Sequence, residues 1–176
     1  MKVALIRHPA PLIEAGICYG RLDVGLSPDG IASVPGIVRQ LADFPARKIW
    51  RSPARRCQVL ACAIADAAKA DALQDERLQE LDFGAWEGQA WDNVPRELLD
   101  EWALNLFGFA PPGGETGSAL IARVRSFHTH LIKKQQDCVV VSHGGPLKLL
   151  ANLLRGREVD LLAKAPAFGW IDMVSC

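Results

Sequence analysis

The sequence contains no uninterrupted apolar stretch of the ~18 residues that a membrane-spanning helix requires. The apolar run that begins at Val3 is broken at Arg7, so it is far too short for the apolar region of a secretion signal. We therefore expect neither a membrane span nor a secretion signal, and we expect the protein to be cytoplasmic.

Net charge is also absent, because 20 lysines and arginines balance 20 aspartates and glutamates. Proteins that bind nucleic acids or membrane surfaces through electrostatics usually carry a basic patch or an excess of positive charge. The balance predicts no nucleic-acid partner and no membrane partner, so any positively charged site has to be local. The oligomeric state is left open by the sequence.

The five cysteines lack the spacing that metal sites and disulfide frameworks require. Their number is odd, and no two of them form a Cys-x-x-Cys pair. We expect reduced thiols that are mostly buried as small apolar side chains, and we expect no zinc site.

Apolar residues, by contrast, are plentiful. They make up 49% of the 176 residues, which is enough for a substantial core without a stabilising disulfide or metal. The length fits one domain, and no repeat, low-complexity tract or linker divides the chain. Residues 1–176 are therefore predicted to form a single domain.

Strand patterns and helix patterns alternate along this domain. Short apolar or β-branched runs predict strands at 3–6, 48–50, 72–73, 138–141 and 170–174. Helical spacing of apolar residues predicts helices over about 29–44, 53–70, 93–107, 115–134 and 146–156. Ser52 followed by Pro53 is typical of an N-cap and a first helical position. The alternation predicts a three-layer α/β/α sandwich with a mostly parallel sheet.

Two histidines directly follow predicted strands. His8 follows the first strand and His143 follows the 138–141 strand. Open α/β sheets bind ligands outside the carboxyl ends of their strands, so both imidazoles are expected at one rim. Arg51, Arg55 and Arg56 lie near the end of the strand at 48–50, and guanidinium groups match phosphate oxygens. The pattern predicts a phosphate site, although each histidine alone is also compatible with a structural role.

Four segments resemble, in the correct order, the signature segments of the histidine phosphatase, or phosphoglycerate-mutase-like, superfamily. They are Arg7-His8-Pro9, Ser-Pro-Ala-Arg-Arg-Cys-Gln at 52–58, Leu-Gln-Glu-Leu-Asp-Phe-Gly at 78–84 and Val-Ser-His-Gly-Gly at 141–145. Each segment alone is a weak signal, and their order along most of the chain carries the resemblance. It implies a phosphoglycerate-mutase-like fold.

The resemblance also implies a catalytic role for five residues. His8 is the implied nucleophile and forms a phosphohistidine. Glu80 is the implied acid that protonates the leaving oxygen and then takes a proton from water. Arg7, Arg56 and His143 are implied to bind the phosphoryl oxygens, which leaves no need for a metal or another cofactor.

Two further pairs of runs resemble the α-ribazole phosphatases, which remove the 5′-phosphate of α-ribazole 5′-phosphate in late cobalamin assembly. These runs are 7–11 with 16–24, and Pro-Gly-Gly-Glu-Thr at 112–116 with Arg123-Val124. The resemblance places Tyr19, Gly20 and Gly144 beside the substrate. The chain lacks the inserted sequence of phosphoglycerate mutases, which favours hydrolysis over phosphoryl transfer.

Two alternatives stay open. The first is a broad-specificity phosphatase of sugar or nucleoside monophosphates on the same fold, and the second is a module that binds phosphate without turnover. The expected partner of the enzyme is in either case a small-molecule phosphomonoester.

Overall fold

The computed structural model describes residues 1–176, in which five strands and five α-helices alternate. The elements in chain order are β1 (Lys2–Arg7), α1 (Pro28–Gln40), β2 (Lys48–Arg51), α2 (Arg55–Ala68), β3 (Asp71–Gln74), α3 (Arg96–Leu104), α4 (Gly117–Lys134), β4 (Cys138–Ser142), α5 (Gly144–Leu154) and β5 (Ile171–Ser175). Three short 3₁₀ turns, Glu76–Leu78, Gly84–Trp86 and Trp91–Asn93, lie between β3 and α3.

The five strands form one sheet in the order β3-β2-β4-β1-β5. The first four strands are parallel, and only β5 runs antiparallel, at the edge beside β1. In the register, Arg7 pairs with Ser142 and Arg51 pairs with Val141. The carboxyl ends of β1, β2 and β4 therefore meet at one rim.

Helices cover both faces of the sheet, as the prediction of a three-layer sandwich requires. Val3 and Leu5 point into a core cluster that they share with α4 and α5. Ala4 and Ile6 point to the opposite face, into a cluster that they share with α1 and α2. Each large apolar side chain buried in this way contributes about 1.5–3 kcal/mol to stability. The fold prediction is confirmed.

Two helices begin with the caps that their sequences supply. Ser27 precedes α1 and its hydroxyl accepts a hydrogen bond from the Gly30 N–H (3.0 Å). Thr116 precedes α4 and accepts in the same way from the Ala119 N–H (3.0 Å). A cap of this type contributes about 1 kcal/mol, which defines where each helix starts.

The predicted starts of three other helices were wrong. Helix α2 begins at Arg55 instead of at Pro53, because the Ser52 hydroxyl bonds an imidazole and does not cap the helix. Helix α3 begins only after Pro95, since proline disfavours helical backbone angles at the residue before it. Helix α5 begins at Gly144 and takes Pro146 into its first turn, where proline is tolerated.

A third apolar cluster lies outside the sandwich and contains five aromatic residues, which are Phe83, Trp86, Trp91, Trp102 and Phe109. Trp86 is 3% exposed, and the rings of Trp91 and Trp102 stack with centroids 6.1 Å apart. These tryptophans pack against one another in this cluster. None of the helices combines the length and the apolar character needed to cross a membrane.

Candidate active site

Three polar residues follow directly after the three strands that share a rim. They are His8 after β1, Ser52 after β2 and His143 after β4. The hydrogen bonding to β4 continues for one residue beyond β1 and β2. The His8 N–H donates to Ser142 O and the Ser52 N–H donates to Val141 O, both at 3.0 Å. The rings of His8 and His143 consequently face each other, with centroids 5.1 Å apart and planes at 68°.

His8 is held as a neutral imidazole with one free nitrogen. Its Nδ1 lies 2.7 Å from Pro9 O, and since a carbonyl only accepts, Nδ1 carries the proton. The lone pair is therefore on Nε2. Burial, with smaller contributions from Arg56 and Arg7, lowers the pKa of His8 from its ordinary value of 6.5 to about 3. An uncharged imidazole with a free lone pair is a competent nucleophile.

The contacts of His143 are compatible with the opposite tautomer. The Ser52 Oγ lies 2.7 Å from His143 Nε2, and a Ser52 hydroxyl that donates to this nitrogen leaves the ring proton on Nδ1. The Cys57 thiol lies 3.7 Å from the same nitrogen. Nδ1 is buried without a hydrogen-bond partner, so in this tautomer its N–H is available to an anion in the pocket. Burial, followed by the effects of His8 and Arg56, lowers the pKa of His143 well below its usual value.

Two guanidinium groups complete this pocket, and neither has a carboxylate partner. Arg56, in the first turn of α2, is fully buried and donates to Gly20 O (2.7 Å) and Leu22 O (2.9 Å). Arg7 donates to Pro166 O, and the Phe168 ring lies 4.1 Å from its Cζ. The Nε of both arginines is buried and unpartnered. Buried positive charge without a counter-charge is costly, so the pocket is suited to an anion.

The carboxylate of Glu80 lies at the edge of the same pocket. Its Oε1 accepts from the Leu81 N–H (2.9 Å), and its Oε2 accepts from the Gly145 N–H (3.1 Å) in the first turn of α5. A Cβ at position 145 would lie only 2.2 Å from Oε1, so this approach requires glycine. The two backbone donors fix the direction in which Glu80 faces.

The three residues expected beside the substrate lie around the arginines. The Tyr19 ring centroid is 5.4 Å from Arg56 Cζ, and burial raises the pKa of the phenol. Gly20 supplies a carbonyl to Arg56. A Cβ on Gly144 would lie 3.3 Å from Arg7 Cζ and 2.8 Å from the Ala165 Cβ. Their contact with substrate remains a prediction.

A second acidic residue, Glu87, joins the loop that carries Tyr19 to the loop that carries Glu80. Its carboxylate accepts hydrogen bonds from the backbone N–H groups of Arg21, Leu22 and Phe83. The two loops are thereby held against each other on one side of the pocket. The part of Glu87 is therefore structural.

A cavity of about 480 Å³ opens from this pocket. Arg7, His8, Glu80 and His143 form its polar end. Its other walls are mainly apolar and include Leu81, Phe83, Trp102, Leu106, Leu120 and Leu161. A smaller polar pocket of about 200 Å³ adjoins it on the side of Arg56. The cavity of about 480 Å³ is called the chamber below, and it joins an anion-binding end to mainly apolar walls.

One wall of the chamber is anchored by Lys148, which the sequence analysis did not identify. Its Nζ donates to Leu161 O (2.5 Å) and Ala163 O (2.8 Å), and burial lowers its pKa. A signal was present, because Lys148 is the only charged residue in α5. Ser52 was identified only as a helix cap, although it follows its strand as His8 and His143 follow theirs.

The structure brings all five predicted catalytic residues to one rim. Arg7, His8, Glu80 and His143 line the chamber, and Arg56, Glu80 and His143 line the adjoining polar pocket. No three histidine, cysteine or acidic side chains lie close enough together to share a metal ion. The arrangement can bind a phosphoryl group, attack it with an imidazole nitrogen and deliver a proton from a carboxyl group.

Comparison with known proteins identifies relatives of this arrangement. The sequence model of the histidine phosphatase superfamily (branch 1) matches residues 3–167. Phosphoserine phosphatase 1 of Hydrogenobacter thermophilus is 29% identical over 175 residues, which cover 96% of this chain and 82% of that protein.

Solved structures share the fold at lower sequence identity. The α-ribazole phosphatase of Shigella flexneri superposes with a TM-score of 0.91 at 24% identity, covering 99% of this chain and 90% of that one. A mycobacterial glucosyl-3-phosphoglycerate phosphatase superposes with a TM-score of 0.83 at 22% identity, covering 98% and 88%. These likenesses support the phosphoglycerate-mutase-like fold that the sequence predicted.

Proposed function

This chain belongs to the histidine phosphatase superfamily, and from that premise we propose that it hydrolyses phosphomonoesters through a phosphohistidine on His8. The family and its phosphatase-named relatives make it a phosphoric monoester hydrolase. One observation carries the mechanism: a neutral His8 with its lone pair on Nε2 faces His143 beside the guanidinium groups of the buried Arg56 and the partly buried Arg7, neither of which has a carboxylate partner.

In the first step, His8 Nε2 attacks phosphorus and the bond to the leaving oxygen breaks. Glu80, in its protonated form, gives its proton to that oxygen, so the alcohol leaves neutral. Arg7, Arg56 and the Nδ1–H of His143 donate to the three phosphoryl oxygens, where charge is concentrated in the transition state. Positioning and charge stabilisation are what phosphoryl transfer chiefly needs.

In the second step, water attacks the phosphohistidine. The Glu80 carboxylate takes a proton from this water, and the bond between phosphorus and Nε2 breaks. Inorganic phosphate leaves, and both His8 and Glu80 return to their starting forms. A general acid or base in this position typically contributes ~10²–10⁴-fold to the rate.

The chamber favours a substrate with a large apolar leaving group. The phosphate of such a substrate would bind at the polar end, and its apolar part would contact the walls that include Phe83, Trp102 and Leu161. The benzimidazole of α-ribazole 5′-phosphate meets that requirement, which supports α-ribazole 5′-phosphate as the substrate and cobalamin assembly as its context. Burial of an apolar ring contributes about 2 kcal/mol or more.

Phosphoserine is a second candidate, because a relative at 29% identity bears the name phosphoserine phosphatase. A phosphoserine carboxylate would need a cation in the chamber. Only Arg7 and Lys148 supply one there, and Arg7 belongs to the phosphate pocket while Lys148 bonds two carbonyls. The chamber therefore supports the apolar substrate better than the amino acid.

Steady-state kinetics on purified protein test the substrate. The panel contains α-ribazole 5′-phosphate, phosphoserine, glucose 6-phosphate and adenosine 5′-monophosphate. We predict a kcat/KM for α-ribazole 5′-phosphate at least roughly 30-fold above that for phosphoserine, which corresponds to about 2 kcal/mol of apolar burial.

Other outcomes of the panel reject the assignment in distinct ways. Equal kcat/KM values across the panel would identify a broad-specificity phosphatase, and a preference for phosphoserine would identify the second candidate. Tight binding of phosphate with no turnover of any ester would identify a binding module.

A further inference from the structure

One side chain of α4 makes several hydrogen bonds to the loop that carries Glu80. Arg123 lies on the fourth helix with its side chain 14% exposed, and its guanidinium reaches the backbone of residues 77–80. This loop follows β3 and forms only a single 3₁₀ turn, Glu76–Leu78, so its own hydrogen bonds do little to define its shape.

Every N–H of the Arg123 guanidinium has an acceptor. Nη1 donates to Arg77 O (2.8 Å) and Gln79 O (2.5 Å), and Nη2 donates to Glu80 O (2.9 Å). The remaining donors go to Glu115, from Nε to Oε2 (3.2 Å) and from Nη2 to Oε1 (2.5 Å). A guanidinium has five N–H groups, and all five are used here.

Glu115 completes the attachment on the other side of the Glu80 loop. Besides Arg123, its carboxylate accepts from the Asp82 N–H (3.2 Å) and from Arg21 (3.2 Å). The carbonyl of Glu80 and the amide of Asp82 are thus both held by one ion pair between Arg123 and Glu115. The side chain of Glu80 extends from the middle of this held segment toward Gly145.

We propose that Arg123, supported by Glu115, is a positioning residue that fixes the backbone of Glu80 so that its carboxyl group reaches the leaving oxygen. Arg123 does not line the chamber or the adjoining polar pocket, so it acts through Glu80 and not on the substrate. This inference rests on the proposed role of Glu80 as the general acid.

The dependence of the rate on the leaving group distinguishes a displaced general acid from a general loss of structure. An ester of p-nitrophenol expels a stable anion and needs little protonation, whereas an alkyl phosphate expels a strongly basic alkoxide and depends on the acid. Arg123→Lys keeps the positive charge near His143 but has three donors in place of five, without the planar fork. The ratio kcat/KM reports the steps up to formation of the phosphohistidine, before Glu80 activates water. We predict that kcat/KM for the alkyl phosphate falls about 10–100-fold, while kcat/KM for p-nitrophenyl phosphate falls less than about 3-fold.

Arg125→Lys is the matched control, because Arg125 lies two residues away on the same helix with an exposed side chain. It should leave both activities unchanged. Glu115→Gln should give the same selective loss, and it serves as the test variant if Arg123→Lys does not fold. Equal losses of kcat/KM on both esters in the folded variants would overturn the proposal.

The double variant with Glu80→Gln identifies which assignment fails. If Arg123 acts through Glu80, Arg123→Lys has no further effect on kcat/KM for the alkyl phosphate in the Glu80→Gln background. If Glu80→Gln alone lowers kcat/KM for both esters equally, the assigned role of Glu80 as the acid is wrong. If Glu80→Gln is selective and Arg123→Lys is not, only the positioning role is wrong.

Discussion

At the scale of single residues, the site concentrates groups that a protein normally keeps apart. His8 and His143 are about 1% exposed and lie beside the fully buried Arg56. Both imidazoles stay neutral because burial and the nearby guanidinium groups disfavour a further positive charge. Ser52 orients one ring and the Pro9 carbonyl orients the other. The cost of these arrangements should be visible in the stability of the protein.

Acid should destabilise the protein before its carboxylates titrate. The unfolded chain binds a proton on each histidine near pH 6.5, while the folded protein keeps His8 neutral down to about pH 3 and His143 neutral well below 6.5. Stability is therefore complete above pH 6.5 and is lost as the pH falls. Each of the two residues should lower the free energy of unfolding by about 1.4 kcal/mol per pH unit in this window.

Urea unfolding at pH 7 and pH 5 measures this loss. His8→Asn should remove roughly half of the difference between the two pH values, because one of the two titrating groups is gone. His128→Gln is the control. Because His128 is only partly buried, this variant should retain most of the difference in stability between pH 7 and pH 5. A wild-type stability that does not change between pH 7 and pH 5 would contradict the neutral assignment of both buried histidines.

At the scale of elements, the long segment between α5 and β5 depends on the helix before it. This segment contributes Leu161, Leu162 and Ala163 to the chamber and has no helix or strand of its own. Lys148 holds it from one side through two carbonyls, and Arg7 holds it from the other through Pro166 O. The wall that contacts the leaving group is therefore positioned by charged donors.

Lys148→Met should loosen that wall without changing the phosphate pocket. Methionine keeps the apolar stem but removes two hydrogen bonds, each worth about 1–3 kcal/mol when one partner is charged and buried. We predict that KM for α-ribazole 5′-phosphate rises by about 5-fold or more, while kcat for p-nitrophenyl phosphate is unchanged. Lys164→Met, an exposed change in the same segment, is the control. Equal effects of Lys148→Met and Lys164→Met would refute this role.

The sequence predicted the elements better than their ends and their tertiary contacts. The buried strand β4 and the helices of the sandwich follow from local apolar patterns, which is why the layers could be predicted. Ser52 shows the limit, because its position before Pro53 satisfied the rule for a helix cap while its hydroxyl bonds His143, 91 residues away. Arg123 likewise gave no local signal for its contacts with residues 77–80.

At the scale of the whole molecule, the site exists because the sheet order places distant parts of the chain side by side. Strand β1 lies next to β4, so the residue after each strand, His8 or His143, reaches the same pocket. Strand β2, on the other side of β4, adds Ser52 and leads into the helix that carries Arg56. Four parallel strands with this order convert separate sequence motifs into one anion pocket.

The measurement that tests the account most directly is the trapping of a phosphoryl group on His8. The protein is mixed with p-nitrophenyl phosphate radiolabelled on phosphorus, quenched in base and digested, and the labelled peptide is identified. We predict an acid-labile label on His8 and no label in His8→Asn. The label accumulates in Glu80→Gln, because this ester needs little protonation to phosphorylate His8 while water is no longer activated. A His8→Ala variant that hydrolyses the substrate as fast as the wild type, or a label on any other residue, would contradict the account.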